Sequence, residues 1–190
     1  MTDDHDSRAL TAVLAECAAI SALIDRKALM IATLVTFNIT VTSTVIGFIL
    51  SGKTSKEILL VLPAATAALG LLVAAQDIDA RAAESYLRNN LHRLVERYTG
   101  EKDAWKWVEV MDARRTPITV VMTRALPMGL IFPGICVATL AISLPSVKGS
   151  GEWVAWAMGA ALTALLVASW FGEAKRILLG PSADKRFIRK

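Results

Sequence analysis

Residues 28–50 read ALMIATLVTFNITVTSTVIGFIL, and this stretch carries no charge. A helix rises about 1.5 Å per residue, so the stretch is long enough to cross a hydrocarbon layer about 30 Å thick. Because no water reaches the backbone inside lipid, a single stretch satisfies its own N–H and C=O groups only as a helix. Residues 28–50 are therefore predicted to form a transmembrane helix, span one.

Three further uncharged stretches extend this interpretation to the whole chain. They cover residues 58–75 (span two), 125–144 (span three) and 153–171 (span four). The connections 51–57 and 145–152 are short and contain glycine, which predicts two antiparallel helical hairpins. A hydrophobic fraction of 54% also exceeds that of an ordinary soluble domain. The predicted fold class is all-α: a polytopic membrane protein with four transmembrane helices as two hairpins, and with amphipathic cytoplasmic helices.

Lysine and arginine are distributed unevenly along the chain. Three precede span one, eight besides Arg124 lie between spans two and three, and six follow span four, whereas the two short connections share three. By the positive-inside rule, both termini and the middle segment are predicted to be cytoplasmic. We therefore expect a multi-pass protein of the bacterial cytoplasmic (inner) membrane. The net charge of +4 is then a topology signal rather than a nucleic-acid surface.

Five segments follow from the positions of the spans. Residues 1–27 are a cytoplasmic amphipathic helix, 28–76 the first transmembrane hairpin, and 77–117 a cytoplasmic helical insert that continues from span two. Residues 118–172 are the second transmembrane hairpin, and 173–190 are a basic cytoplasmic tail. Residues 184–190 of the tail are predicted to attract anionic lipid headgroups.

The first and third segments have helical apolar faces. In the first, the face comprises Leu10, Val13, Leu14, Cys17, Ile20 and Ile24. Its opposite side is not strongly cationic, as that of a membrane-surface anchor would be, so we expect the face to pack on protein. No glycine or proline separates span two from the insert. The span is therefore predicted to continue to Tyr98 and to stop at Thr99–Gly100, before a second helix over residues 102–114.

Span one differs from the other spans in its polar residues. Thr33, Thr36, Thr40 and Thr44 follow three- and four-residue steps, so they form a hydroxyl stripe along one helix face. These four are the candidate pore-lining residues, because hydroxyls on helices around a wet pathway can face water or ions. The alternative is that small polar residues make contacts between packed spans. Asn38 lies off the stripe and needs a partner on another helix or another subunit.

Small residues and prolines mark the other spans. Spans two and four contain small residues at four-residue spacing, which suits close helix crossings: Thr66, Gly70 and Ala74, and Ala155, Gly159 and Thr163. In span three, Pro127 and Pro133 each remove a backbone donor and are predicted to bend the helix. With Arg124, just before the span, they form the candidate gate or hinge. The alternatives are a kink used only for packing and an arginine that reaches the headgroups.

The sequence contains no recognisable catalytic or metal-binding pattern. Cys17 and Cys136 lack metal-ligand spacing and are predicted to be small buried residues. His5 lies in a polar tail and His92 in a charged helix, so both are expected to be exposed to solvent, and no nucleophile, zinc or nucleotide-binding motif occurs. The spans hold no Asp or Glu, which argues against a proton- or sodium-coupled carrier. We therefore predict that the protein is not an enzyme and has no cofactor or metal.

The insert resembles known bacterial proteins. Its stretch QDIDARAAESYLR (residues 76–88), with Trp107-Val108-Glu109 and the preceding helix and hairpin, resembles an uncharacterised family of actinobacterial-type four-pass membrane proteins. It is also distantly similar to SLATT-type domains, membrane hairpins flanked by cytosolic helices that are thought to act as pore-forming effectors. The resemblance implies an oligomer that conducts or permeabilises under control from the cytosolic side. SLATT-type proteins usually have two spans, whereas this chain adds a second hairpin.

Two functional predictions result. The first is an oligomeric membrane channel or pore-type protein, with its pathway lined by span one and with a cytoplasmic helical regulatory region. The second is a non-conducting membrane scaffold or sensor that recruits a partner through its cytoplasmic insert. The predicted partners are the lipid bilayer and further copies of the chain in a homo-oligomer, with no nucleic acid.

Overall fold

The computed structural model describes residues 2–52, 56–100 and 126–179, and within these ranges the protein is helical with no strand. The helices before the gap at residues 101–125 are α1 (Thr2–Leu50), a 3₁₀ turn (Lys56–Leu60), α2 (Leu62–Tyr86), a π-helical turn (Leu87–Leu91) and α3 (His92–Thr99). After it come α4 (Leu126–Gly129), a π-helical turn (Leu130–Gly134), α5 (Ile135–Ser143), a 3₁₀ turn (Leu144–Ser146) and α6 (Ser150–Leu179). The all-α prediction is confirmed.

Four helical stretches in the described ranges are long and apolar enough to cross a membrane: Ser7–Leu50, Ile58–Thr99, Leu126–Ser143 and Ser150–Gly172. The first two have 44 and 42 residues, which is about twice what a bilayer needs. Their uncharged parts, 28–50 and 58–75, are the spans, and their charged parts continue as helix outside the membrane. The chain is therefore a multi-pass membrane protein.

Contacts divide the chain into two units. The first, the hairpin unit, comprises residues 1–33 and 75–115, and the second, the bundle unit, comprises residues 34–74 and 116–190. Helices α1 and α2 each contribute to both units without interruption. The predicted helix over residues 102–114, Arg124 and the basic tail from residue 184 onward lie outside the described residues.

In the hairpin unit, the first half of α1 packs antiparallel against the end of α2 and α3. Glu16 accepts a 2.9 Å hydrogen bond from the Tyr86 hydroxyl, and Lys27 bonds to Gln76 nearer the membrane. Between and beyond these pairs lies an apolar cluster of Cys17, Leu91 and Val95, with Val13, Ile20, Leu87 and Leu94 partly buried around it. The prediction that the N-terminal apolar face packs on protein is therefore confirmed, although Leu14 is 47% exposed.

Helix continuity from span two into the hairpin unit is also confirmed. Only the π-helical turn Leu87–Leu91 interrupts the α-helical geometry between Leu62 and Thr99. Gly100 then adopts φ = +70°, a left-handed conformation that glycine accepts without steric cost, and its N–H donates to the Glu96 carbonyl at 2.9 Å. The predicted stop at Thr99–Gly100 thus rests on a helix C-cap.

Lys27 joins the two helices of the hairpin unit where they leave the membrane. Its Nζ lies 2.6 Å from Gln76 Oε1 and 3.0 Å from Asp79 Oδ2. The Asp79 side chain is 63% exposed, so solvent screens the ion pair. We expect a double-mutant cycle with Lys27→Ala and Asp79→Ala to give a coupling free energy below about 1 kcal/mol. A coupling well above that in chemical unfolding would show that the pair is shielded from water.

The titration of His92 should make the free energy of unfolding of the hairpin unit depend on pH. The expected exposure of this histidine is wrong, because the structure buries it on α3. Burial lowers the pKa of its imidazole from the ordinary 6.5, whereas Glu96 acts in the opposite direction. As the pH falls, the unfolded chain therefore takes up a proton near pH 6.5 before the folded unit does. The free energy of unfolding should be full above pH 6.5 and decline as the pH falls towards the lowered pKa.

Unfolding titrations on either side of pH 6.5 measure this decline. The variant His92→Gln removes the titrating group and should show a shallower pH dependence. An unchanged slope in the variant would assign the effect to the carboxylates instead.

The bundle unit is held together by close contacts at two glycines. A Cβ added to Gly70 in α2 would lie 2.9 Å from both Leu166 methyl groups of α6 and 3.1 Å from Phe132 Cβ. A Cβ on Gly159 in α6 would lie 3.2 Å from Pro63 Cβ. Phe132 and Leu166, which contact Gly70, are fully buried. Gly70 and Gly159, two of the small residues predicted for close crossings, therefore serve that purpose in spans two and four.

The second π-helical turn contains Pro133 and is bonded from span one. Pro133 has no N–H, so it cannot donate to the carbonyl of Met128 or Gly129 in the preceding turn. Asn38 of α1, which is 1% exposed, donates from Nδ2 to the Ile131 carbonyl at 3.3 Å. The partner predicted for Asn38 is therefore on another helix of the same chain.

Candidate functional site

The hydroxyl stripe of span one lies on the outside of the chain. Thr36, Thr40 and Thr44 are exposed in the bundle unit, whereas Asn38 and Thr42 on the same helix are buried. With 3.6 residues per turn, Thr36 and Thr40 each lie about 160° around the helix from Asn38. Thr33, in the hairpin unit, is exposed as well. The structure thus leaves the candidate pore-lining face uncovered by its own unit.

Large apolar side chains border this face on both sides. Phe37 and Phe48, 56% and 50% exposed, lie on one side of it. Ile39 and Ile46, 44% and 41% exposed, lie on the other. The sides suit contact with lipid or with an apolar neighbouring helix, and the centre is polar.

Most of the stripe hydroxyls are bonded to their own helix. Thr33 Oγ1 donates to the Leu29 carbonyl at 2.9 Å, Thr40 Oγ1 to Thr36 at 2.9 Å and Thr44 Oγ1 to Thr40 at 2.7 Å. A threonine in this arrangement donates its hydroxyl hydrogen bond to the backbone, and the lone pairs of its oxygen can still accept hydrogen bonds. The face therefore offers acceptor oxygens, the type of ligand that hard cations and water donors use.

A second polar set lies inside the bundle unit. The set consists of five side chains that are each 5% exposed or less. They are Asn38 and Thr42 of α1, Thr66 of α2, and Thr139 and Thr163 of the second hairpin. Within the part of the chain that the structure describes, Thr42 Oγ1 and Thr66 Oγ1 are buried and have no hydrogen-bond partner. No functional role was predicted for these residues from the sequence. The four-residue spacing of Asn38 and Thr42 was the signal for a second polar face of span one.

The hinge candidates in span three have different environments. Pro133 lies within the π-helical turn, where its missing N–H is accommodated, and Pro127 lies in the first described turn of the span. No cis peptide bond occurs in the described residues. Whether this segment moves as a gate stays a prediction.

Neither cysteine is placed for metal or nucleophilic chemistry. Cys17 is buried in the hairpin unit, and Cys136 is buried in the bundle unit, with its Sγ 3.5 Å from the Pro63 carbonyl. Among the described residues, no three His, Cys, Asp or Glu side chains lie together as a metal site would require. Cys17 and Cys136 are buried, as was predicted from the sequence.

No family model, curated protein or solved structure matches the chain. The resemblance to actinobacterial-type four-pass proteins and to SLATT-type domains is therefore still a prediction.

Proposed function

We propose that the protein is an oligomeric membrane channel or pore-type protein, in which span one of several copies surrounds the pathway. The observation that carries the proposal is the outward face of α1. It has exposed threonines at its centre and exposed phenylalanines and isoleucines at its sides. In a ring of such helices the threonines would point inward, and the apolar sides would contact neighbouring copies.

The hairpin unit provides the regulatory region of this proposal. It is a helical pair continuous with spans one and two, so a ligand or partner bound to it would act directly on the helix that lines the pathway. We also propose that both termini and this unit are cytoplasmic and that the membrane is the bacterial inner membrane. Reporter fusions at the C-terminus test this orientation, since a fluorescent protein folds in the cytoplasm and a secreted phosphatase is active only outside it.

The test of the pore is ion flux from liposomes that contain the purified full chain, with the oligomeric mass measured in the same preparation. We expect flux that rises with protein dose. Thr40→Leu should reduce it strongly while the oligomer stays intact, because a bulky apolar side chain replaces a hydroxyl at the centre of the face.

The matched control is Thr40→Ser, which keeps the hydroxyl and should keep the flux. Equal flux in both variants would contradict the assignment of this face to the pathway. No flux from a well-formed wild-type oligomer, with cytoplasmic ligands also tested, would contradict the pore itself.

The second candidate function is a non-conducting scaffold or sensor, and one observation favours it. The hydroxyls of Thr33, Thr40 and Thr44 are satisfied by their own backbone, so this face needs no water and tolerates lipid or a packed neighbour. In that case Thr40→Leu would alter or abolish assembly. Capture experiments with the insert as bait would then identify what it recruits.

A further inference from the structure

One charged residue just before span one, Arg26, lies on the same helix face as Thr33. Arg26 precedes Thr33 by seven residues on α1, so the two lie about 20° apart around the helix and about 10 Å apart along it. Both belong to the hairpin unit, and both are exposed. Arg26 therefore continues the outward face beyond the end of the uncharged stretch.

The neighbouring charges do not share this position. Lys27 turns to the other helix of its unit, where Gln76 and Asp79 hold its ammonium group. Asp25 is exposed but lies about 80° from Thr33 around the helix, on the opposite side from Arg26, and its side chain is shorter. Arg26 makes no ion pair with a described residue, and it is the arginine of this face that lies nearest to Thr33 along α1.

From these positions we infer that Arg26 forms a positively charged ring at the inner mouth of the pathway and makes it selective for small anions. The inference rests on the proposed function, since the ring exists only if several copies of span one surround a pathway. Spans without Asp or Glu contribute no opposing ring, and rings of arginine or lysine favour anions in pores. The Thr33 oxygen farther along this face is a hydrogen-bond acceptor and does not bind anions, so the selectivity for anions depends on the charge of Arg26.

The experiment measures the reversal potential of wild-type protein in liposomes or planar bilayers under a gradient of potassium chloride. We expect a chloride-to-potassium permeability ratio above one. Arg26→Gln should lower the ratio about fivefold, which is the effect of one unit charge a few ångströms from an ion in water. Arg26→Lys should preserve the ratio because the charge is kept.

Two further variants keep the outcome decisive. Arg93→Gln removes an equal charge from an exposed position of α3 and should leave the ratio unchanged. Asp25→Asn should raise the ratio, and it serves if Arg26→Gln fails to assemble. If the protein conducts ions but neither Arg26→Gln nor Asp25→Asn changes the chloride-to-potassium permeability ratio, this inference is wrong and the proposed pore is not affected. An absence of flux in the wild type would contradict both.

Discussion

Replacement of Gly70 by alanine is expected to destabilise the bundle unit by about 1–3 kcal/mol. The added methyl group would lie 2.9 Å from both Leu166 methyl groups and 3.1 Å from Phe132 Cβ, and real Cβ atoms do not approach other atoms at 2.9 Å. The Leu166 methyl groups end a flexible side chain, but Leu166 and Phe132 are fully buried, so a shift of either one displaces packed neighbours. Spans two, three and four would have to separate slightly.

Separation is costly for a helix bundle in lipid. Lipid tails are as apolar as the spans, so association depends on van der Waals contact and interhelical hydrogen bonds. A gap of 0.5–1 Å already forfeits roughly a quarter to a half of a contact's attraction. Within lipid, the stability of the bundle unit therefore depends on the van der Waals contacts around Gly70 rather than on the apolar area that is buried there.

Gly47→Ala is the matched control, because it makes the same change inside a span where a Cβ would meet nothing within 4 Å. Alanine has a higher helix propensity than glycine by about 1 kcal/mol, so this variant should be neutral or slightly more stable. Unfolding by SDS titration in mixed micelles measures both variants. Equal stability of the two would show that the helices around Gly70 adjust without cost.

The sequence was sufficient to predict the spans and the small-residue contacts. Uncharged stretches of membrane length specify helices because lipid leaves the backbone no other option, and Gly70 and Gly159 were predicted from their spacing alone. The π-helical turn at Leu87–Leu91 was not predicted. Its last residue, Leu91, lies in the cluster with Cys17 and Val95, and such a contact between distant parts of the chain cannot be inferred from local sequence.

The candidate site was predictable only as a pattern. Periodicity shows that Thr36, Thr40 and Thr44 share one face of span one, and that Asn38 does not. Periodicity alone does not say which face turns towards the rest of the chain, because threonine is tolerated both in contacts and in lipid. The structure answers that question: Asn38 is buried and donates to the Ile131 carbonyl, whereas the threonines are exposed.

Asn38→Leu is accordingly expected to lower the free energy of unfolding by about 1–2 kcal/mol, although it makes span one more hydrophobic. The change removes the amide that donates to the Ile131 carbonyl and leaves that carbonyl without this donor inside a π-helical turn that already contains Pro133. Thr40→Val is the control, because it removes a hydroxyl that is exposed and bonded only to its own helix.

The control should change stability by less than about 0.5 kcal/mol, as surface substitutions usually do. The comparison separates two explanations of the polar residues in span one, because general hydrophobicity predicts that both substitutions stabilise the helix in lipid. If Asn38→Leu proved as stable as Thr40→Val, the inward face would not depend on this bond. A selective loss at Asn38 would instead show that this hydrogen bond helps to fix the rotation of span one, and with it the outward direction of the threonine face.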